Sequence, residues 1–418
     1  MNEVRRQDPA DQEVGELKKL VTSVIEQNKE RFFEISRFMY DNPEIGYSEV
    51  KASQLLSTEL EKHGFRVVRG VAGLPTAFTA TFDGQQKGPT IAILAEYDAL
   101  PGVGHGCGHN IIGTSAIAAA VGLSKLMPKL PGKLVVVGTP NEEGGAEGGK
   151  IREVDAGVFE DIDAAIMIHP GRSARSDGLV HPKVTDETKS LALGGVEIRF
   201  KGKATHAAAT PELGINALDA IILTFVGLNT LRQHIRSDSR IHGIITEGGK
   251  APNIVPEEAA AYFYVRAGET SYMWELMEKL KGCAEGAAKA TGATLQFKQS
   301  PHHMEVVKRN YTLSGLLEKN LRSLGERVEE MEEKPRGSGS TDLGNVSVVV
   351  PATSCTIAIG PRTMLGHSKE MAEATVSQEG KHGLLLAAKT MALSCIDLMT
   401  QPELMQTAKD EFQGIGKQ

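Results

Sequence analysis

Residues 90–110 read TIAILAEYDALPGVGHGCGHN. The run from Ile91 to Ala95 is apolar without alternation, the pattern of a strand buried on both faces. It passes into a glycine-rich loop that carries Asp98, His105, Cys107 and His109. A helix of small residues, TSAIAAAVGLSKLM (114–127), follows the loop. The same apolar run recurs in KLVVVGTP (133–140) and AAIMIHP (164–170). Apolar strands alternating with helices predict an α/β fold whose sheet is largely parallel and covered on both sides. In such sheets, sites gather where the carboxyl ends of strands release the chain. Asp98, the pair Glu142 and Glu143, and His169 each fall at such an end.

Before this stretch, apolar residues at helical spacing predict one long helix over residues 14–39 and a second over 49–63, separated by Pro43 and Gly46. FRVVRGV (65–71) and TAFTATF (76–82) read as strands. Near residue 192 the pattern changes to strand, helix, strand, strand, helix, strand, a compact α+β unit. The α/β style resumes after it. The expected organisation is therefore a discontinuous main domain, 1–191 and 303–418, with residues 192–302 inserted as a second domain.

The 418 residues carry 46 basic and 53 acidic side chains, a net charge of −7, which argues against a nucleic-acid partner. No run of eighteen apolar residues suggests a membrane span. The start of the chain lacks the apolar core of a signal peptide, so a cytoplasmic location is expected. Four scattered cysteines do not form a disulfide framework, and Cys283, Cys355 and Cys395 read as packing.

Cys107 between His105 and His109 could be a thiol nucleophile, a metal thiolate or part of a tight turn. Three other clusters bear on the choice: NEEGG (141–145), His169 and His367. Cys107, His109, Glu143, His169 and His367 together suit Zn²⁺ or a similar transition metal, and suit Ca²⁺ or Mg²⁺ poorly. Five donors exceed one catalytic site, but two ions sharing the thiolate would use them all. Glu142 is then free to accept a proton, and Asp98 can orient a ligand imidazole. A thiol nucleophile would leave NEEGG, His169 and His367 without a role.

The segments AEYDALPGVGHGCGHN, GTPNEEGG, IHPG, GKATHAAATPELGINALDA, NIVPEEAAAYFYVRA, GSTDLGNVS and LGHS occur in this order. Together they resemble metallopeptidase family 20, the family of carboxypeptidase G, aminoacylase and p-aminobenzoyl-glutamate hydrolase. The cysteine motif resembles its amidohydrolase subfamily, and the YDALPG and GSTDLGNVS segments look closest to the p-aminobenzoyl-glutamate hydrolase and Xaa-Arg dipeptidase branch. The resemblance implies a three-layer, zinc-exopeptidase-like catalytic domain with two divalent ions per subunit, Zn or Mn, with Co or Ni as alternatives. Cys107 would bridge them, His109, Glu143, His169 and His367 would complete the set, and Glu142 would be the general base.

It further implies that the inserted domain is a lid that also forms a homodimer, or a higher oligomer built from it. His206 would reach the partner's site and stabilise the oxyanion, while Asn253, Arg266 and Ser340 would hold the substrate. The implied reaction is hydrolysis of an amide bond in N-acyl or N-aroyl amino acids or small dipeptides. The alternatives are hydrolytic deamination of a substituted aromatic amine on the same scaffold, and a silent binding protein. One departure stands out: Glu96 replaces the aspartate common in the subfamily.

Overall fold

The computed structural model describes residues 9–172, 190–326, 328, 339–361 and 363–415. The chain opens with α1 (Pro9–Gln27), α2 (Lys29–Asp41), α3 (Val50–Lys62), β1 (Arg66–Arg69), β2 (Phe78–Asp83) and β3 (Gln86–Glu96). Next come α4 (His109–Ser124), β4 (Pro131–Thr139), α5 (Gly149–Asp155) and β5 (Ala164–Arg172). The inserted unit is β6 (Ala192–Lys201), α6 (Ala217–Leu231), β7 (Arg240–Glu247), β8 (Glu258–Ala267), α7 (Thr270–Thr291) and β9 (Thr294–Met304). The chain returns through α8 (Tyr311–Ser323), α9 (Leu343–Ser347), β10 (Ala352–Gly360), α10 (Lys369–Ala374), α11 (Gln378–Thr400) and α12 (Pro402–Gln413).

The main sheet has the order β1-β2-β4-β3-β5-β10. Its β4, β3, β5 and β10 run parallel, while β1 and β2 form an antiparallel edge. The unbroken apolar run in β3 follows from burial on two sides. Ile91, Ile93 and Ala95 join the core beneath α1, α4 and α11. Ala92 and Leu94 face the opposite way and pack with Phe159, Leu343 and Val346. α4 is buried along its whole length, and its small residues let it lie close to β3. A Cβ at Gly113 would come within 2.7 Å of the Glu96 carbonyl oxygen.

The inserted unit is a fully antiparallel sheet in the order β7-β8-β6-β9. Val196, Ile198 and Phe200 bury beneath α6 and α7 against Met273 and Leu276. The result is an α/β main domain carrying a βαββαβ lid, as the order of elements predicts. Leu193 and Met304, near the two crossings between the units, pack with Ala146, Ile151 and Tyr264.

Three expectations need correction. The helix expected over 14–39 is two helices, because Asn28 turns its amide back onto the Val24 carbonyl (2.8 Å) and leaves helical geometry at φ −102°, ψ 6°. His169 lies within β5 and not beyond it, since pairing with β10 (Thr356 opposite His169) prolongs the strand to Arg172. The strand that the segment GGVEIRFKGKATHA (194–207) predicts stops at Lys201, and residues 202–207 turn away through isolated bridges. The most apolar eighteen-residue window of α11 has a mean hydropathy of 1.4, long and apolar enough for a membrane span, but 89% of it is buried inside the protein.

Candidate metal centre

β3 delivers Tyr97 and Asp98 to its carboxyl end, both fully buried. The Tyr97 hydroxyl donates to the Thr76 carbonyl at 2.6 Å and anchors the exit. The following loop turns on glycines with positive φ and closes at Gly108 (φ 85°), immediately before α4. A Cβ there would sit 2.4 Å from Pro170 Cγ, so only glycine lets the loop press onto β5. His109 is thereby the first residue of α4. Its Nδ1–H donates to Asp98 Oδ1 at 2.7 Å, which leaves Nε2 as the free donor atom. Asp98 Oδ2 accepts the Glu143 backbone N–H at 3.0 Å, so one carboxylate ties two loops together. Burial would raise the Asp98 carboxyl, but the charge and hydrogen bond of His109 hold it below its ordinary range.

Cys107 Sγ lies 3.5 Å from His169 Nε2. The other ring nitrogen of His169 donates to the Pro170 carbonyl at 2.5 Å, which again leaves Nε2 facing the cluster. His367 sits in left-handed backbone (φ 58°), unusual for a non-glycine residue. Its N–H donates to the Gly106 carbonyl at 2.9 Å, which binds this late loop to the Cys107 turn. His367 Nε2 approaches Glu143 Oε1 to 3.3 Å.

Two donor sets share Cys107, namely Cys107, His109 and His169, and Cys107, Glu143 and His367; a third, His109, Glu142 and Glu143, overlaps both. Within each, one donor atom per residue lies within 4.8 Å of the others. His109 Nε2 and Glu143 Oε1 are buried without a hydrogen-bond partner, and Glu96 Oε2 beside them is as well. Buried polar atoms are normally satisfied, and orphans gathered in a thiol, imidazole and carboxylate cluster fit a pair of transition-metal ions. Burial, with the charges of Glu143 and Glu142 adding, pushes the Cys107 thiol up to about 12. An unaided thiol of that kind is a poor nucleophile, whereas a metal ion would deprotonate it.

Glu142 opens a 3-10 turn, Glu142–Glu147, behind Asn141, whose backbone is left-handed at φ 58°. Glu142 Oε2 stands 3.8 Å from His109 Nε2. Burial raises its carboxyl well above the usual carboxylate range, and the charges of Glu96 and Asp342 raise it further.

The lid residues stand apart from this cluster. His206 is exposed, and its Nδ1 accepts the N–H groups of Ala208 and Ala209, each at 3.2 Å. Asn253 is exposed too, and its carbonyl accepts the Ala207 N–H at 3.0 Å. The two candidates therefore share one small ladder on the lid, and neither belongs to a metal-capable group among the described residues. Arg266, half-buried on β8, reaches across to the main domain, where its Nη1 donates to Ser340 Oγ at 2.7 Å.

Three further residues carry no clear signal in the sequence. Lys150 is completely buried and its Nζ donates to Glu96 Oε1 (2.6 Å) and Asp342 Oδ1 (2.5 Å). Burial opposes its charge, but Asp342, Glu96 and Glu142 hold its pKa well above the ordinary lysine value. Glu49, also buried, accepts the Asn141 N–H at 2.9 Å and the Thr76 hydroxyl at 3.0 Å. Asp342 lies inside the GSTDLGNVS segment, which is the one pointer to it.

An α/β domain with two donor sets meeting at the carboxyl edge of its sheet, beside a ferredoxin-like lid, defines a metal-dependent hydrolase. The chain belongs to peptidase family M20/M25/M40, whose model matches residues 82–387. It is 36% identical to a mouse (Mus musculus) Xaa-Arg dipeptidase over 95% of this chain and 92% of that one. It is 32% identical to a p-aminobenzoyl-glutamate hydrolase polypeptide of Escherichia coli K12, over 96% and 95%. Among solved structures, an aminobenzoyl-glutamate utilization protein from Klebsiella pneumoniae aligns with a TM-score of 0.73 at 20% identity, covering 90% of this chain and 98% of that one. A dinuclear metal-binding M20 peptidase from Bacillus subtilis aligns at 0.68 and 21%, covering 90% and 99%.

Proposed function

We propose that the protein hydrolyses the amide bond of N-acyl or N-aroyl amino acids or of small dipeptides. In support, the relatives include an Xaa-Arg dipeptidase, a p-aminobenzoyl-glutamate hydrolase polypeptide and an N-acetylcysteine deacetylase. The observation that carries it is the pair of donor sets joined through Cys107, with Glu142 3.8 Å from His109 Nε2 and outside both sets.

Two divalent ions, Zn or Mn by donor chemistry, would be held by Cys107, His109, Glu143, His169 and His367 and would supply Lewis acidity and a water reactive near neutral pH. Glu142 removes the proton from the attacking water and returns it to the departing amine nitrogen. Asp98 keeps His109 in one tautomer and orientation. Arg266 and Ser340, hydrogen-bonded to each other between lid and main domain, would receive a substrate carboxylate, with Asn253 and His206 contributed by the lid.

The lid, taken as residues 192–302, is also the proposed dimer interface. In support, β7 is an unpaired edge of its sheet, and Ile222, Val226, Ile244 and Ile245 are exposed there on α6 and β7.

The test is a mass-spectrometric panel of N-acyl amino acids, p-aminobenzoyl-glutamate and dipeptides ending in arginine, run with Zn²⁺ or Mn²⁺. Release of the free amino acid is expected, and Glu142→Gln should abolish it while retaining the metal. Ammonia released from an aromatic ring amine, with the amide left intact, would replace this reading with the deaminase one. Full activity after chelation would end both.

A further inference from the structure

Glu142 also belongs to a second cluster, whose other members catalysis as described does not use. Carboxylate oxygens of Glu96, Glu142 and Asp342 converge to within 4.8 Å of one another. Three carboxylates this close, two of them fully buried, cannot all stay ionised without a counter-charge. Lys150 supplies it from the first turn of α5, the helix that directly follows the Glu142–Glu147 turn. The glycines before it allow the approach, since a Cβ at Gly148 would sit 2.5 Å from Asp342 Oδ2, and one at Gly149 2.0 Å from the Pro140 carbonyl oxygen. Asp342 is held twice, by Nζ at 2.5 Å and by the Lys150 backbone N–H at 3.1 Å.

We propose that Lys150 is a positioning residue, a built-in cation that immobilises Glu96 and Asp342 and leaves Glu142 as the one free carboxylate of the three. Its contact with Glu96 matters most. Glu96 Oε1 is tied to Lys150 at 2.6 Å, while Oε2 has no hydrogen bond and lies 3.5 Å from His109 Nε2. Released from Lys150, Glu96 could turn onto the metal side of that imidazole and compete for the ion, and the emptied nest of three carboxylates would itself attract a divalent cation. The inference rests on the two-metal reading of the site.

The test uses Lys150→Met and Lys150→Met/Glu96→Gln. The double variant removes Lys150 together with Glu96, so that of its two buried partners only Asp342 loses its counter-charge. Mn²⁺ bound per chain is measured by titration against the free-ion EPR signal, without substrate, and kcat and KM are measured with the best substrate of the panel. Lys150→Met should bind one Mn²⁺ more than wild type. Both variants should lose about 10- to 100-fold in kcat with KM within about twofold, and the double variant should return to the wild-type Mn²⁺ count. Wild-type kcat in the folded double variant, or wild-type kcat and Mn²⁺ count in Lys150→Met, overturns the proposal. Should Lys150→Met not fold, kcat of the double variant decides alone. A wild-type protein that binds no Mn²⁺ and no Zn²⁺ refutes the two-metal reading instead, so the two failures are separable.

Discussion

His109 and Asp98 meet at 2.7 Å with neither side chain reaching solvent. The contact fixes which imidazole nitrogen faces the cluster, and the other Asp98 oxygen fixes the Glu143 loop through its backbone N–H. Asp98→Asn keeps the size and removes the charge. It should lower Zn²⁺ affinity by about 10- to 100-fold, as expected when the partner of a metal-binding histidine is changed. Competition with a chromophoric chelator reads this directly; an unchanged affinity would mean that His109 is not a ligand or does not need orienting.

Cys107 gives a prediction about reagents. A thiol pushed up to about 12 by burial is protonated at pH 7 and attacks alkylating agents slowly. Metal-free protein treated with iodoacetamide at pH 7 should carry label at Cys107 far more slowly than a free cysteine does, by peptide mass mapping. Rapid, stoichiometric labelling would restore the thiol-nucleophile reading. Cys107→Ser should also reduce the metal retained after gel filtration, because a neutral hydroxyl cannot replace a shared thiolate.

The candidates Asp98, Glu143 and His169 stood out in the sequence because each comes just after an apolar run, and such runs become strands when both faces are buried, as Ile91 to Ala95 are; His367, in a late glycine-bounded loop, had no such pointer. The break at Asn28 was not legible, since the apolar spacing continues across it while one side-chain amide ends the helix locally. Lys150 and Asp342 were hidden for a different reason: they are 192 positions apart, and a lysine opening a helix looks like any solvated charge until its partner is known. His206 and Asn253 could be paired with each other only through the isolated bridge between His206 and Ile254.

Glu49 predicts a pH effect on stability. Burial raises its carboxyl from 4.5 to about 7, against the opposing hydrogen bonds from Asn141 and Thr76. The folded state therefore keeps a proton that the unfolded chain releases above about pH 4.5. The resulting stability is complete below about pH 4.5 and is lost as pH rises through about 7, a cost of about 3 kcal/mol by about pH 8. Glu49→Gln retains an acceptor for the Asn141 N–H and cannot ionise. Its Tm should fall less than that of wild type between pH 5 and pH 8. Parallel Tm profiles would show that Glu49 is ionised in the folded protein throughout.

His206 poses the last question, because it is exposed and outside the metal cluster of its own chain. Its Nδ1 is occupied by two backbone N–H groups, so Nε2 is the atom available to a ligand. If the lid serves the neighbouring subunit, His206→Ala and Glu142→Gln should each be inactive alone. After unfolding and refolding together they should regain activity. In a mixed two-fold dimer, the site with intact Glu142 receives intact His206 from the other chain, and the second site lacks both. Equal random mixing makes half the dimers hybrid, each with one working site, so recovery should approach about a quarter of wild-type activity. Hybrids shown to form by differential tagging, yet without activity, would confine His206 to its own subunit or remove it from the reaction.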